Sequence, residues 1–162
     1  EKHSDATTRC GKESDTVPNT LSFVIDGSSV DYVNQPGDGS CLFHALAYGL
    51  GSHAERLRME IAFFIGTHPS FEISGTRLSE WIKWDSNATV RKYVRDLAWR
   101  GTWGGGVEIA VCSHLANADI VVYERCFGGY RIISSFRRPS PLTTLSICYA
   151  GRCHYDALRI RK

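Results

Sequence analysis

The sequence predicts an α+β fold, a small central β-sheet with helices packed on it. Two patterns carry that expectation. Up to about residue 116, apolar side chains recur at helical spacing, as in Leu42, Ala45, Leu46 and Gly49. From Asp119 onward the period changes to short apolar runs separated by glycine turns, which is strand patterning. A third observation sets the scale: the 162 residues are 43% apolar and 22% charged, enough for one domain with a real core.

Residues 1–20 are polar throughout and are expected to be a disordered leader, with the folded domain over 21–162. The chain lacks an initiator Met and reads as a piece of a longer protein. Leu21–Ile25 and Val30–Val33 predict a short strand pair or extended entry. A helix is predicted over Cys41–Leu50. Ser52-His53-Ala54-Glu55 fits a capping box, which predicts a second helix carrying Leu57, Ile61, Phe64 and Ile65 and ending near Gly66 and Pro69. Further helices are expected at Leu78–Trp84 and Ala88–Trp99, the latter capped by Ser86 or Asn87. Arg100–Gly106 reads as a loop. The helix after it sets Val107, Ala110, Val111, His114 and Leu115 on one face. Strands follow at Ile120–Tyr123, Tyr130–Phe136, Leu142–Tyr149 and His154–Ile160.

Composition removes several functions. A formal net charge of +2 is too small to suggest nucleic acid or a membrane surface. No apolar run reaches the roughly 18 residues of a bilayer span, and no secretory signal is present. The six cysteines are spread thinly, and most lie in or beside apolar segments, so free thiols in a reducing, cytoplasmic setting are expected. The Asn87-Ala88-Thr89 sequon is then coincidental.

Asp38, Gly39 and Ser40 lead straight into the helix that begins at Cys41. Exposed N–H groups of a helix's first turn favour a thiolate and can hold an oxyanion. A nucleophile needs a base. His3 lies in the leader, His44 sits on the nucleophile's own helix pointing into packing, His53 and His68 are at helix ends, and His114 reads as a satisfied core histidine. His154 opens the last strand, and Asp156 two residues on shares its face, so the carboxylate can orient the ring.

Three blocks then resemble one family. "PGDGSCLFHALAYGL" resembles the Asp-Gly-x-Cys nucleophile motif of the ovarian-tumour (OTU) cysteine proteases. "WGGGVEIAVCSHLANADIVVY" is similar to its middle block, and "CHYDALRI" to its closing His-aromatic-Asp/Asn block. All three occur in the family's order over residues 36–160. The resemblance implies an OTU-like, papain-type cysteine protease fold and removal of ubiquitin, polyubiquitin or a ubiquitin-like modifier by a monomeric catalytic domain. It implies Cys41 as nucleophile, His154 as general base and then acid, and Asp156 as the orienting carboxylate. Asp38, Gly39 and Ser40 would form the oxyanion loop, Asp38 through its backbone N–H, with the N–H groups of Ser40 and Cys41 sharing the charge. Trp103, Gly104, Gly105 and Tyr155 are candidates for the walls of a slot that admits a Gly-Gly tail, with no cofactor and no metal. An acidic partner for the arginines of the ubiquitin tail is expected among Glu72, Glu80, Asp85 and Asp96. Cys153, directly before the base, departs from the family pattern and leaves room for an oxidative switch.

Other readings compete. Cys112, His114, Cys148, Cys153 and His154 supply zinc-type donors without Cys-x2-Cys spacing. "GTWGGG" precedes a helix but lacks the Lys-Ser/Thr of a phosphate loop. A non-catalytic ubiquitin-binding module would not need three filled triad positions.

Overall fold

The structure, a computed structural model, describes residues 24–151 and 153–161. The expected leader, residues 21–23 of the first strand run, His3, Cys10 and Arg152 lie outside the described residues. Thirteen regular segments follow the expected order closely. They are β1 (Val24–Asp26), β2 (Val30–Val33), α1 (Cys41–Leu50), α2 (Ala54–Thr67), β3 (Glu72–Ile73), β4 (Thr76–Arg77), α3 (Leu78–Ser86), α4 (Val90–Leu97), α5 (Gly106–Ala116), β5 (Ala118–Cys126), β6 (Gly129–Phe136), β7 (Thr143–Ala150) and β8 (His154–Ile160).

Six strands form one sheet in the order β1-β6-β5-β7-β8-β2, antiparallel except for β5 beside β7. β1 and β2 are therefore not a pair: they form opposite edges, although only a 3-10 turn at Gly27–Ser29 joins them. Five strand spacings in a flat sheet would separate those edges by about 24 Å. The four peptide units from Asp26 to Val30 reach at most about 14 Å. The sheet must curl, and its concave face holds a core of its own: Val30, Val121, Tyr123, Tyr130, Cys148 and Leu158. Tyr32 on β2 stacks on Tyr130 of β6 with ring centroids 6.4 Å apart, across the mouth of the curl.

The convex face carries the larger core. β5 is buried on both sides: Ile120 and Val122 face the helices, while Val121 and Tyr123 face the curl. α1 buries Leu42, Phe43, Ala45, Leu46 and Ala47 and packs on β8 and β7. Each fully buried Leu or Phe there contributes about 1.5–3 kcal/mol, so Leu46→Ala would cost about 2–5 kcal/mol. Gly51, at φ 61°, ends the helix in a left-handed cap.

Several local expectations are corrected. α2 starts at Ala54 with His53 at its N-cap and no side-chain cap bond, so the capping box does not form. α4 is capped by the Thr89 hydroxyl, which accepts from the Lys92 N–H; Asn87 instead closes α3 in the left-handed region. α5 is buried on every side from Val107 to Ser113, because it lies between sheet and helices, while Leu115 is exposed. The β3–β4 hairpin has no counterpart in the sequence reading. Its turn uses Ser74 and Gly75, both at positive φ. No described helix is long and apolar enough to cross a membrane.

Candidate active site

Cys41 is the first residue of α1 and is buried, its thiol facing the Cys153 carbonyl at 4.0 Å. That carbonyl belongs to the residue before His154, so the start of α1 meets the start of β8. The Cys153 thiol points elsewhere and is exposed.

The loop before Cys41 is held from two sides. Asp38 Oδ1 accepts the Ser40 N–H at 2.9 Å, and Asp38 Oδ2 meets His44 Nε2 at 3.0 Å. The His44 contact and then the Ser40 N–H hold the Asp38 carboxyl below its ordinary pKa. His44 thus turns back onto the loop rather than along its helix into packing. The Ser40 N–H is committed to Asp38, so of the Asp38, Ser40 and Cys41 N–H groups expected to share an oxyanion, that of Ser40 is already engaged. Gly39 has φ 82°, and a Cβ there would overlap the Cα of Gly101, so two loops touch through glycine backbone.

Arg58 fastens these loops together. It lies on α2 and is only 3% exposed. Its Nη2 donates to the Gly39 carbonyl at 3.1 Å and the Ser40 hydroxyl at 3.0 Å. Its Nη1 donates to the carbonyls of Leu97 at 2.9 Å, Trp99 at 3.3 Å and Thr102 at 2.8 Å. The guanidinium also covers the Phe43 ring at 4.1 Å. Burial pulls its pKa down, and Asp38, Glu108 and Cys41 oppose that. The sequence reading missed Arg58. The signal was available: Ala54, Leu57, Arg58, Ile61, Ala62 and Ile65 form the buried stripe of α2.

His154 Nε2 lies 3.0 Å from Asp156 Oδ1, as the i, i+2 spacing predicts. That contact leaves Nδ1 for proton transfer. Asp156 is buried and takes two further donors, the Tyr32 hydroxyl on Oδ2 and the Gln35 N–H on Oδ1 at 2.6 Å. Burial pushes the Asp156 pKa up, but the bonds from Tyr32, Gln35 and His154 outweigh it, and the balance is downward. Tyr32 and Gln35 come from the opposite end of the chain and gave no sign in the sequence.

The expected slot walls divide. Trp103 is 66% exposed, which removes it from the core. Gly104 lies against Leu42 and Phe43, where a Cβ would come within 2.8 Å of Leu42 Cδ2. The Gly105 N–H donates to Glu108 at 2.7 Å. These three line a cavity of about 330 Å³ with Tyr93 and Glu108. Tyr155 points to the face of β8 opposite His154 and Asp156, toward the core that holds Leu42 and Phe43, half-buried against Tyr149 at 5.0 Å; burial, then Tyr149 and Cys41, push its phenol up to about 12.

Glu108 is a buried cap: it accepts from the Gly105 N–H and from the Tyr93 hydroxyl at 2.6 Å. His114 is not a satisfied core histidine, since its Nδ1 is buried without a partner. Among the described residues, no group of three or more His, Cys, Asp or Glu side chains is placed to hold a metal ion. Of the expected acidic partners, Asp96 is engaged by Lys92 at 2.5 Å and Arg95 at 3.4 Å.

Known proteins share this fold. The curated relative "ovarian tumor domain-containing deubiquitinating enzyme 4" of Arabidopsis thaliana is 30% identical over 139 residues, covering 78% of this chain. The chain spans 42% of that relative's length. A Hazara virus OTU bound to ubiquitin superposes with a TM-score of 0.69 at 21% identity, covering 87% of this chain and 88% of its own. An OTU deubiquitinase from Wolbachia pipientis wMel bound to ubiquitin gives 0.60 at 19%, covering 83% and 98%. At those identities the two structures establish the fold. The family model for OTU-like cysteine proteases matches residues 36–155, a stretch that runs from the Cys41 loop through His154, and the chain belongs to that family.

Proposed function

We propose that the chain is a thiol-dependent deubiquitinase, with Cys41 as nucleophile, His154 as general base and acid, and Asp156 as the carboxylate that orients it. The observation that carries this reading is the His154–Asp156 contact at 3.0 Å, with Asp156 itself fixed by Tyr32 and Gln35, beside a thiol at the first residue of a helix. An imidazole held by a buried carboxylate keeps one tautomer and one orientation, as a nucleophile's base requires. The substrate class rests on the relatives, one named a deubiquitinating enzyme and two solved with ubiquitin.

In this mechanism His154 Nδ1 takes the Cys41 proton, and the thiolate attacks the isopeptide carbonyl after the modifier's terminal Gly-Gly. The Cys41 N–H holds the tetrahedral oxyanion at the helix N-terminus. The C–N bond breaks as His154 protonates the leaving lysine amine, which leaves a Cys41 thioester. Water then attacks that thioester, giving its proton to His154, and the Cys41 thiol is released with the modifier's carboxylate. Trp103 and Gly104 flank the tail. Residues 21–162 form the catalytic domain, which works as a monomer in the cytoplasm, where thiols stay reduced.

The test is covalent capture by ubiquitin bearing a C-terminal electrophile, read by intact mass. One adduct on the wild type and none on Cys41→Ala is the expected result. No adduct on a folded wild type overturns ubiquitin as the substrate; capture by a ubiquitin-like probe instead would reassign the modifier.

A further inference from the structure

Along β5, Val121 and Tyr123 face the concave side of the curled sheet, and strand alternation puts Arg125 on that same face. Its neighbour Glu124 is turned the other way and pairs with Arg131. Along β8, Asp156 shares the face of Leu158, a member of the concave core, and His154 follows at the same spacing. Arg125 and the His154–Asp156 pair therefore look into one concavity from β5 and β8, with β7 between them.

Tyr32 spans that gap. The Arg125 guanidinium carbon lies 4.4 Å from the Tyr32 ring centroid and 5.9 Å from that of Tyr130. Both distances are within the ~6 Å reach of a cation–π contact. Arg131, Arg137 and Arg159 each pair with a carboxylate, whereas among the described residues Arg125 pairs with none. Tyr130 is its direct partner on β6, and contact with that hydroxyl is what most favours the charged guanidinium. The Tyr32 hydroxyl donates to Asp156 Oδ2, while Asp156 Oδ1 faces His154 Nε2 at 3.0 Å. Cation, ring, carboxylate and imidazole form one file of direct contacts.

Tyr32 needs such a hold. β2 is a four-residue edge strand, paired only with β8, so its ring is steadied from across the mouth of the curl. A ring free to turn would carry its hydroxyl off Oδ2, and the carboxylate could then rotate away from the imidazole. A cation over the ring face also draws electron density from the phenol, which makes the hydroxyl a stronger donor.

We propose that Arg125 is a positioning residue for the base: by covering the Tyr32 ring it keeps the Tyr32 hydroxyl on Asp156, and so keeps the carboxylate aimed at His154 Nε2. This role rests on His154 being the general base.

The test compares wild type, Arg125→Met, Arg125→Lys, Tyr32→Phe and the double variant of Arg125→Met with Tyr32→Phe. Arg125 is exposed, so its replacement leaves the core intact, and Arg125→Gln is a second neutral variant should Met not fold. Two quantities are read: hydrolysis of a ubiquitin C-terminal amide, and exchange of the His154 Nε2 proton with water by NMR. Arg125→Met should lower kcat about fivefold or more at unchanged KM and speed that exchange by a similar factor, since small misplacements of a catalytic group are costly in rate. Arg125→Lys keeps a cation over the ring and should recover most of the loss. On the Tyr32→Phe background Arg125→Met should change either quantity by less than about twofold, because the hydroxyl it acts through is gone. Phe keeps the ring, so a role in packing alone would persist there. Exchange needs no substrate: a wild type that hydrolyses no ubiquitin amide overturns the deubiquitinase reading, and the exchange rates then decide Arg125. The role is overturned by a wild-type Nε2 proton without protection, by Arg125→Met exchanging at the wild-type rate, by an undiminished effect on the Phe background, or by a Lys variant as impaired as Met.

Discussion

Arg58 Nη2 donates to the Ser40 hydroxyl at 3.0 Å, one residue before Cys41. The same guanidinium reaches three carbonyls of the 97–102 segment, so one side chain sets the distance between the loop before Cys41 and its neighbour. Hydrogen bonds to a charged group are worth about 1.5–3 kcal/mol each, without simple additivity, so Arg58→Ala is expected to lose about 3 kcal/mol or more of stability. Arg58→Lys keeps the charge but not the fork that spans both loops. It should melt closer to wild type yet hydrolyse a ubiquitin C-terminal amide at least tenfold more slowly in kcat. Wild-type kcat in a folded Lys variant would show that the loop needs only a buried cation.

The Tyr32 hydroxyl donates to Asp156, and the sum of the Asp156 contacts holds its folded pKa below the ordinary 3.8. A depressed acid pKa stabilises the fold above the unfolded value, and that stabilisation is lost as pH falls through the folded value. Tyr32→Phe should therefore cost about 1.5–3 kcal/mol at pH 6, with a smaller difference below pH 3.8 as the carboxylate protonates in both proteins. Urea midpoints at pH 6 and pH 3 measure this. A difference that does not narrow would locate the tyrosine's contribution in packing against Tyr130 instead.

What the sequence showed and what it hid divide by distance along the chain. His154 and Asp156 were legible because a two-residue spacing in a strand is local geometry. Their supports were not: Tyr32 and Gln35 lie 124 and 121 residues from Asp156. β5 to β8 were legible because Gly128 and Gly151 punctuate apolar runs. The placement of β1 and β2 on opposite edges was not, because neighbouring strands in sequence usually pair and only the curl of the whole sheet separates them. Asn87 shows a different failure. The same residue types cap both helix ends, so an Asn between two helices does not say which helix it closes. Arg58 was passed over because a charge on a helix reads as solvent-facing, although its position lay on the inward stripe.

Glu108 tests burial of a carboxyl in the first turn of α5. Burial pushes its pKa above the ordinary 4.5, against the bonds from Tyr93 and Gly105. A raised acid pKa works in the opposite direction to Asp156: the fold binds the proton more tightly than the unfolded chain does, so this group's contribution falls as pH rises from 4.5 through the folded value. Glu108→Gln keeps an acceptor for the Gly105 N–H and removes the titration. Wild type should lose stability relative to Gln as pH rises above 4.5, whereas Glu108→Ala, which strands two half-buried donors, should cost about 1–3 kcal/mol. Parallel stability curves for wild type and Gln would mean that Glu108 keeps the same protonation state across that range.

Gly39 and Gly101 separate backbone conformation from close approach. Both have positive φ, 82° and 93°, but a Cβ on Gly101 meets open space while one on Gly39 runs into the Gly101 backbone. Gly101→Ala should cost only the left-handed penalty, about 1–2 kcal/mol, with the nucleophile loop in place. Gly39→Ala carries the same penalty and must also push the loops apart, which breaks the span that Arg58 bridges. Its effect should therefore fall on reaction more than on folding. Capture by the ubiquitin electrophile should slow at least tenfold relative to Gly101→Ala, in protein whose far-ultraviolet circular dichroism matches wild type. Equal capture rates for the two variants would show that the contact of Gly39 with Gly101 does not set the position of the Cys41 thiol.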